Sequence, residues 1–348
     1  MTKKLYLLVA ALIMVSMILT ACQPTETAEE KLLICEVTDT GGIDDKSFNA
    51  TAWKGVQDAI AEYGVEGKYL ESQEVADYEK NLNAFIEEGC DLIIPVGFYL
   101  TDSTKAAAEG NPDFKFSIVD VSYDPVIANV QGQVFQTDQA AFLAGYLAAG
   151  MTKTGKVGTF GGFPIPTVTI FMDGFARGVA YHNEQKGTAV EVLGWDINNP
   201  DAGLFSMSFD DQSKGKELGN SLMDEGADII MPVAGPVGLG TAAAVQERGN
   251  GFIIGVDNDW AIVNSNYADV ILTSVMKLMD ATVKDAVKTV VDGTFAGGVT
   301  VGTLVNNGVG LGTVHGTVPA ELAAEVEALK ALIIDGTITL SDAYKIAQ

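Results

Sequence analysis

The feature that most restricts the fold is a repeat. "EEGCDLIIPVG" (87–97) matches "DEGADIIMPVA" (224–234) at six of eleven positions, 137 residues further on. The same offset lays "FSIVDVSY" (116–123) on "IIGVDNDW" (253–260) and pairs Asp120 with Asp257. An offset of 123 lays "SFNATAWKGV" (47–56) on "IFMDGFARGV" (170–179) and pairs Phe48 with Phe171. The second copy therefore carries about fourteen extra residues, near "WDINNPDAGLFSMSFDD". Self-similarity at a fixed spacing means that one supersecondary unit is used twice.

Within each copy, short apolar runs alternate with stretches of helical period. Strands are expected near 32–38, 68–72, 91–96 and 115–120, then near 156–161, 189–195, 228–233 and 252–256. Helices are expected near 48–63, 77–88 and 102–109, then near 168–183, 212–225 and 238–247. Continuously apolar strands alternating with helices indicate parallel sheets covered on both faces. Right-handed crossovers make each copy a doubly wound lobe, with ligands bound outside the C-terminal strand ends. Those ends are 39–49, 97–99 and 120–124 in the first copy, and 235–238 and 257–260 in the second. At 348 residues the chain has room for two such lobes. Lobe 1 is expected at 32–125 plus 273–295, and lobe 2 at 126–272 plus 296–348. Three crossings would fall near 124–138, 261–272 and 295–303.

The first residues read as a secretory signal over 1–21: Lys3 and Lys4, an apolar run from Leu5 to Leu19, then small residues. That run is shorter than the ~20 residues that span a bilayer. Leu19-Thr20-Ala21-Cys22 resembles a bacterial lipoprotein box, with Cys22 as the lipidated residue. Residues 22–31 are polar and aperiodic and read as a flexible tether. A formal net charge of −25 disfavours nucleic acid and direct pairing with anionic lipid. Cys35 and Cys90 both lie in apolar strand contexts and read as small buried core residues, with a disulfide as the alternative. Two histidines in unrelated contexts supply neither a metal-ligand spacing nor a Ser-His-Asp arrangement, and no cofactor is expected.

The polar residues at the strand ends suit binding better than turnover. Asp44 and Asp45 stand side by side in "TGGIDDKSFNAT", where acids commonly cap the following helix. Carboxylates accept hydrogen bonds from hydroxyls or ring N–H groups, and asparagine offers both a donor and an acceptor. Phe48 and Phe209 are candidate stacking faces, with core packing as the alternative for each. "GLGTAAAV" (238–245) is a glycine-rich helix start that lacks the lysine and spacing of a phosphate cradle.

Six ordered stretches carry a family resemblance: "GGIDDKSFNATAWKG", "DQAAFLAGYLA", "SFDDQSKGKEL", "GADIIMPVAG", "IGVDNDW" and "LTSVMK". Together they resemble the basic membrane protein family of bacterial lipoproteins, substrate-binding components of ABC importers similar to purine nucleoside receptors. The resemblance implies a type I periplasmic-binding-protein fold, two α/β lobes with a ligand cleft between them. It implies a monomer, anchored on the extracytoplasmic face through Cys22, that hands a nucleoside to permease and ATPase subunits. It also implies that Phe48 and Phe209 sandwich the base, and that Asp45, Asn49 and Asp138 address its polar edge. Gly235, Asp257 and Lys277 would hold the ribose. Two departures bear on specificity: Trp260, which could reshape the ribose end, and Pro236, beside the glycine expected to approach the sugar. A sugar or other small polar ligand is the alternative cargo. A nucleoside hydrolase using Asp44–Asp45 is the enzymatic alternative, for which no general base with an orienting partner is evident.

Overall fold

The computed structural model describes residues 31–340; the signal segment, Cys22 and nearly all of the tether lie outside them. Two six-stranded sheets carry the fold. The first contains β1 (Leu33–Val37), β2 (Glu66–Leu70), β3 (Leu92–Pro95), β4 (Phe116–Val119), β5 (Val130–Phe135) and β11 (Gly298–Gly302), in the order β11-β5-β4-β3-β1-β2. The second contains β6 (Lys156–Gly161), β7 (Glu191–Leu193), β8 (Ile229–Val233), β9 (Phe252–Asp257), β10 (Ile271–Lys277) and β12 (Val309–Leu311), in the order β12-β10-β9-β8-β6-β7. Every pairing is parallel except β10 with β12. The two orders are the same pattern, which is the repeat made visible. In both sheets the winding direction reverses beside the first strand, where doubly wound folds bind ligands.

The helices are α1 (Phe48–Tyr63), α2 (Asp77–Glu88), α3 (Thr101–Gly110), α4 (Thr137–Met151), α5 (Pro166–Lys186), α6 (Gln212–Asp224), α7 (Val237–Arg248), the short α8 (Trp260–Val263), α9 (Met279–Val291) and α10 (Ala320–Ile334). α1 shows why the local sequence folds as it does. Its apolar and small residues Ala52, Val56 and Ala59 recur on one face and are buried against Ile34 and Ile94 of the first sheet. Gly64 in the left-handed conformation then ends it. α4 and α5 approach backbone to backbone: a Cβ on Gly145 would lie 2.0 Å from the Phe175 carbonyl oxygen, and one on Gly178 equally close to that of Phe142. Larger residues at either position would push the two helices apart.

Three expected boundaries fall elsewhere. β5 bonds to β4, so the first sheet runs on to Phe135 and not to 125. The strand was hidden by its polar residues: Gln133 is buried, donates to Ser117 Oγ (2.9 Å) and accepts from Thr282 Oγ1. β10 bonds to β9 and places 273–277 in the second sheet, while α9 packs on α1 beside the first. β11 bonds to β5, placing 298–302 with the first sheet and not with lobe 2. The chain thus passes between the sheets after Phe135, after Lys277, and between Gly302 and Val309. The core reading of the two cysteines also changes, because Cys35 and Cys90 are both buried and joined as a disulfide, with Cα atoms 6.1 Å apart.

Candidate functional site

A cleft at the C-terminal strand ends holds about 600 Å³ of space unfilled by atoms, part of it open to solvent. Asp45, Phe48, Asn49, Phe209, Gly235, Asp257 and Lys277 all line it. Asp138 does not. It opens α4, 2% exposed, with its backbone against Gly174.

The first wall is built by the turn between β1 and α1. Asp45 caps α1: its carboxylate accepts from the backbone N–H of Ser47 (2.9 Å), Asn49 (2.8 Å) and Ala50 (3.0 Å). Asp44 is exposed, so the capping role falls to its neighbour. Asn49 is 1% exposed and bridges two acids, its Nδ2 donating to Asp39 Oδ1 (2.7 Å) and Asp45 Oδ2 (3.1 Å). Its Oδ1 accepts from the Asp39 backbone N–H (3.2 Å). The amide expected to read a ligand edge therefore first fixes the two carboxylates beside it.

Asp120 and Asp257 end the equivalent strands β4 and β9, one in each sheet, and both adopt φ 70°. Left-handed backbone at a non-glycine residue is costly, and two such residues at repeat-related positions mark a site. Lys277 closes the constellation from the end of β10. Only 3% exposed, it donates to both oxygens of Asp120 at 2.8 and 2.7 Å. Its ammonium lies 4.8 Å from the centre of the Phe48 ring and 5.8 Å from that of Phe171. An ammonium has three protons, so the pair with Asp120 leaves one for another acceptor.

Four carboxyls, Asp39, Asp45, Asp120 and Asp257, thus line a space with one cation, Lys277. Burial pushes all four upward, Asp45 to about 7. Lys277 pulls Asp120 and Asp257 back, and backbone N–H groups pull Asp45 back. The surplus of buried acids over cations in the lining disfavours an anionic guest. Among the described residues no group of His, Cys, Asp or Glu is placed to hold a metal.

Some lining residues were not assigned from the sequence: Asp39, Asp120, Phe171 and the aromatic pair Phe98–Tyr99. For two of them the signal was present. The repeat pairs Asp120 with Asp257 and Phe171 with Phe48, yet only one of each pair was given a role. Trp260 turns away from the cleft. It is 1% exposed, its Nε1 donates to the Val256 carbonyl (2.9 Å), and its ring fills the space left by Gly238 and Gly255. Pro236 does line the cleft, at the start of α7.

A family model described as "ABC transporter substrate-binding protein PnrA-like" matches residues 34–343. The "ABC transporter nucleoside-binding protein BmpA" of Lactococcus lactis subsp. cremoris is 33% identical over 322 residues, 87% of each chain. "Basic membrane protein A" of Borreliella burgdorferi is 35% identical over 240 residues, 68% of this chain and 66% of that one. Among solved structures, an ABC transporter solute-binding protein from Aeropyrum pernix superposes with a TM-score of 0.79 at 27% identity, over 89% of this chain and 94% of that one. The two-lobe α/β architecture is that of periplasmic-binding proteins, and the family binds substrates for ABC transporters and is not one of enzymes. The chain belongs to the PnrA-like basic membrane protein family of ABC transporter substrate-binding proteins.

Proposed function

We propose that this protein captures nucleosides, purine nucleosides foremost, in the cleft between its lobes and delivers them to an ABC importer. The observation that carries the reading is one cavity lined by both Phe48 and Phe209 together with Asp45, Asn49, Asp257 and Lys277. Aromatic faces suit a base, and carboxylates suit ring N–H groups and vicinal hydroxyls. The base would stack on Phe48 and Phe209, with Asp45 and Asn49 toward its polar edge, while Asp138, buried outside the cleft, takes no part. Gly235, Asp257 and Lys277 would hold the ribose. The surplus of buried carboxyls over cations favours a neutral nucleoside over a phosphorylated one. The relative from Lactococcus lactis, named as nucleoside-binding, supports the same cargo.

Titration calorimetry with inosine, 2′,3′-dideoxyinosine and hypoxanthine tests the reading. Inosine should bind, and Phe209→Ala should weaken it by about 1–3 kcal/mol, the usual worth of one base–aromatic stack. Asp257→Ala should weaken inosine about 10- to 1000-fold through lost hydrogen bonds to a charged acceptor, and hypoxanthine much less. Equal losses for all three ligands would remove Asp257 from the ribose end. Absence of inosine binding by the unaltered protein would reject the nucleoside reading.

We further propose that the mature chain is a monomer held on the extracytoplasmic face of the membrane by lipid on Cys22. Among the described residues no helix is long and apolar enough to cross a membrane. Two acyl chains anchor stably, because each buried CH₂ contributes about 0.8 kcal/mol. Cys22→Ser should leave the fold intact and move the protein from the membrane to the soluble fraction. Continued membrane retention would reveal another anchor.

A further inference from the structure

We propose that Ser47 and Asn258 are positioning residues that clasp the two lobes together and set how long a ligand is retained, without touching it. The inference rests on the binding function proposed above. Neither residue lines the cavity. Both join the turn before α1, in the first lobe, to the end of β9, in the second. Ser47 Oγ donates to Asp257 Oδ2 at 2.7 Å. Asn258 Nδ2 donates to the Lys46 carbonyl oxygen at 2.9 Å and to Thr51 Oγ1 at 3.2 Å. Thr51 Oγ1 in turn donates to the Ser47 carbonyl, so the acceptors of Asn258 are tied to the residue that holds Asp257.

The local structure is shaped for this contact. Lys46 adopts φ 52°, a left-handed turn that carries its carbonyl and the Ser47 side chain toward the other lobe. Asp45 holds that turn rigid through the Ser47 N–H. On the far side, Asp257 at φ 70° leads into Asn258, whose Oδ1 is buried without a hydrogen-bond partner among the described residues. The amide is thus used as a donor, which a carboxylate of the same shape could not replace. Ser47 occupies one oxygen of Asp257, a residue that lines the cavity. Contacts made only when the lobes meet stabilise the closed arrangement and resist opening. Their loss therefore accelerates dissociation more than it slows association.

Stopped-flow kinetics with inosine and small-angle X-ray scattering without added ligand test the clasp on the full chain. Asn258→Asp and Ser47→Ala should each raise the dissociation rate about 10-fold, the effect of one or two net hydrogen bonds. The association rate should stay within about 2-fold. Both variants should show a larger radius of gyration than the unaltered protein, and Ser47→Thr, which keeps the hydroxyl donor, should restore both readouts. Unchanged dissociation rates together with an unchanged radius in both variants would overturn the clasp. So would a fall in association rate alone. If the unaltered protein fails to bind inosine, the nucleoside reading falls, and the scattering comparison alone decides whether these residues hold the lobes.

Discussion

Lys277→Met should destabilise the protein by about 3–5 kcal/mol at pH 8, the usual cost of removing one partner from a buried ion pair. Lys277 and Asp120 are 3% and 8% exposed, so water cannot replace the lost ammonium. Asp257 loses its cation as well. Burial already pushes both carboxyls upward, and Lys277 is the group that draws them back. Without it both rise further and take up protons on folding. A carboxyl raised in the folded state adds no penalty below its unfolded pKa of about 3.9, and the penalty grows as pH rises toward the folded value. The deficit of Lys277→Met should therefore be small at pH 5 and large at pH 8. Adding Asp120→Asn should recover much of the loss, because the neutral amide no longer requires a cation. Urea unfolding at pH 5, 6.5 and 8 checks this. A loss that is equal at all three values would mean that Lys277 acts through its apolar stem and not its charge.

Much of this site could be read from the chain because the repeat, the strand ends and the loop chemistry point to one place. Phe48 and Asp257 are far apart in sequence, yet each falls at a strand end where parallel sheets present ligand loops, whereas Lys277 follows from the family resemblance alone. What stayed hidden depends on partners chosen in three dimensions. Nothing in "SFNAT" says that Asn49 binds Asp39 and Asp45 before any ligand. Nothing in "LTSVMK" says that the lysine reaches across to Asp120. The lobe boundaries were misplaced for a related reason. β5 and β11 carry buried or half-buried polar residues that join neighbouring strands, as Gln131 joins Thr300 at 3.2 Å, and such strands lack the apolar run that betrays the others. Trp260 shows the opposite error: a large ring next to a site residue suggests a wall, but two glycines open the space into which it turns.

Glu36→Leu should stabilise the protein, and by more at high pH than at low. Glu36 is the fourth of the five residues of β1, between Tyr69 of β2 and Ile94 of β3, and is 0% exposed. Side chains two apart on a strand share a face, so it lies on the side of Ile34, which packs with Ala52 and Val56 of α1. Neither carboxyl oxygen has a hydrogen-bond partner among the described residues. Burial raises its pKa well above 4.5, and the nearby Asp45 and Asp39 raise it further. The folded state therefore holds the proton while the unfolded chain releases it. Stability is lost as pH climbs from the unfolded value near 4.5 toward the folded one. Leucine has about the same reach and no polar atoms, and a buried unsatisfied polar group costs about 1–3 kcal/mol. The gain should be of that order at pH 8 and should shrink toward pH 5, close to the unfolded value, where holding the proton in the folded state costs little. Glu36→Gln separates the two causes: it removes the titration but leaves a buried amide, so its stability should become flat with pH without reaching that of the leucine variant. Thermal or urea unfolding of the three proteins across this range decides it. A leucine variant less stable than the unaltered protein at pH 8 would mean that Glu36 is held by interactions worth more than its burial costs.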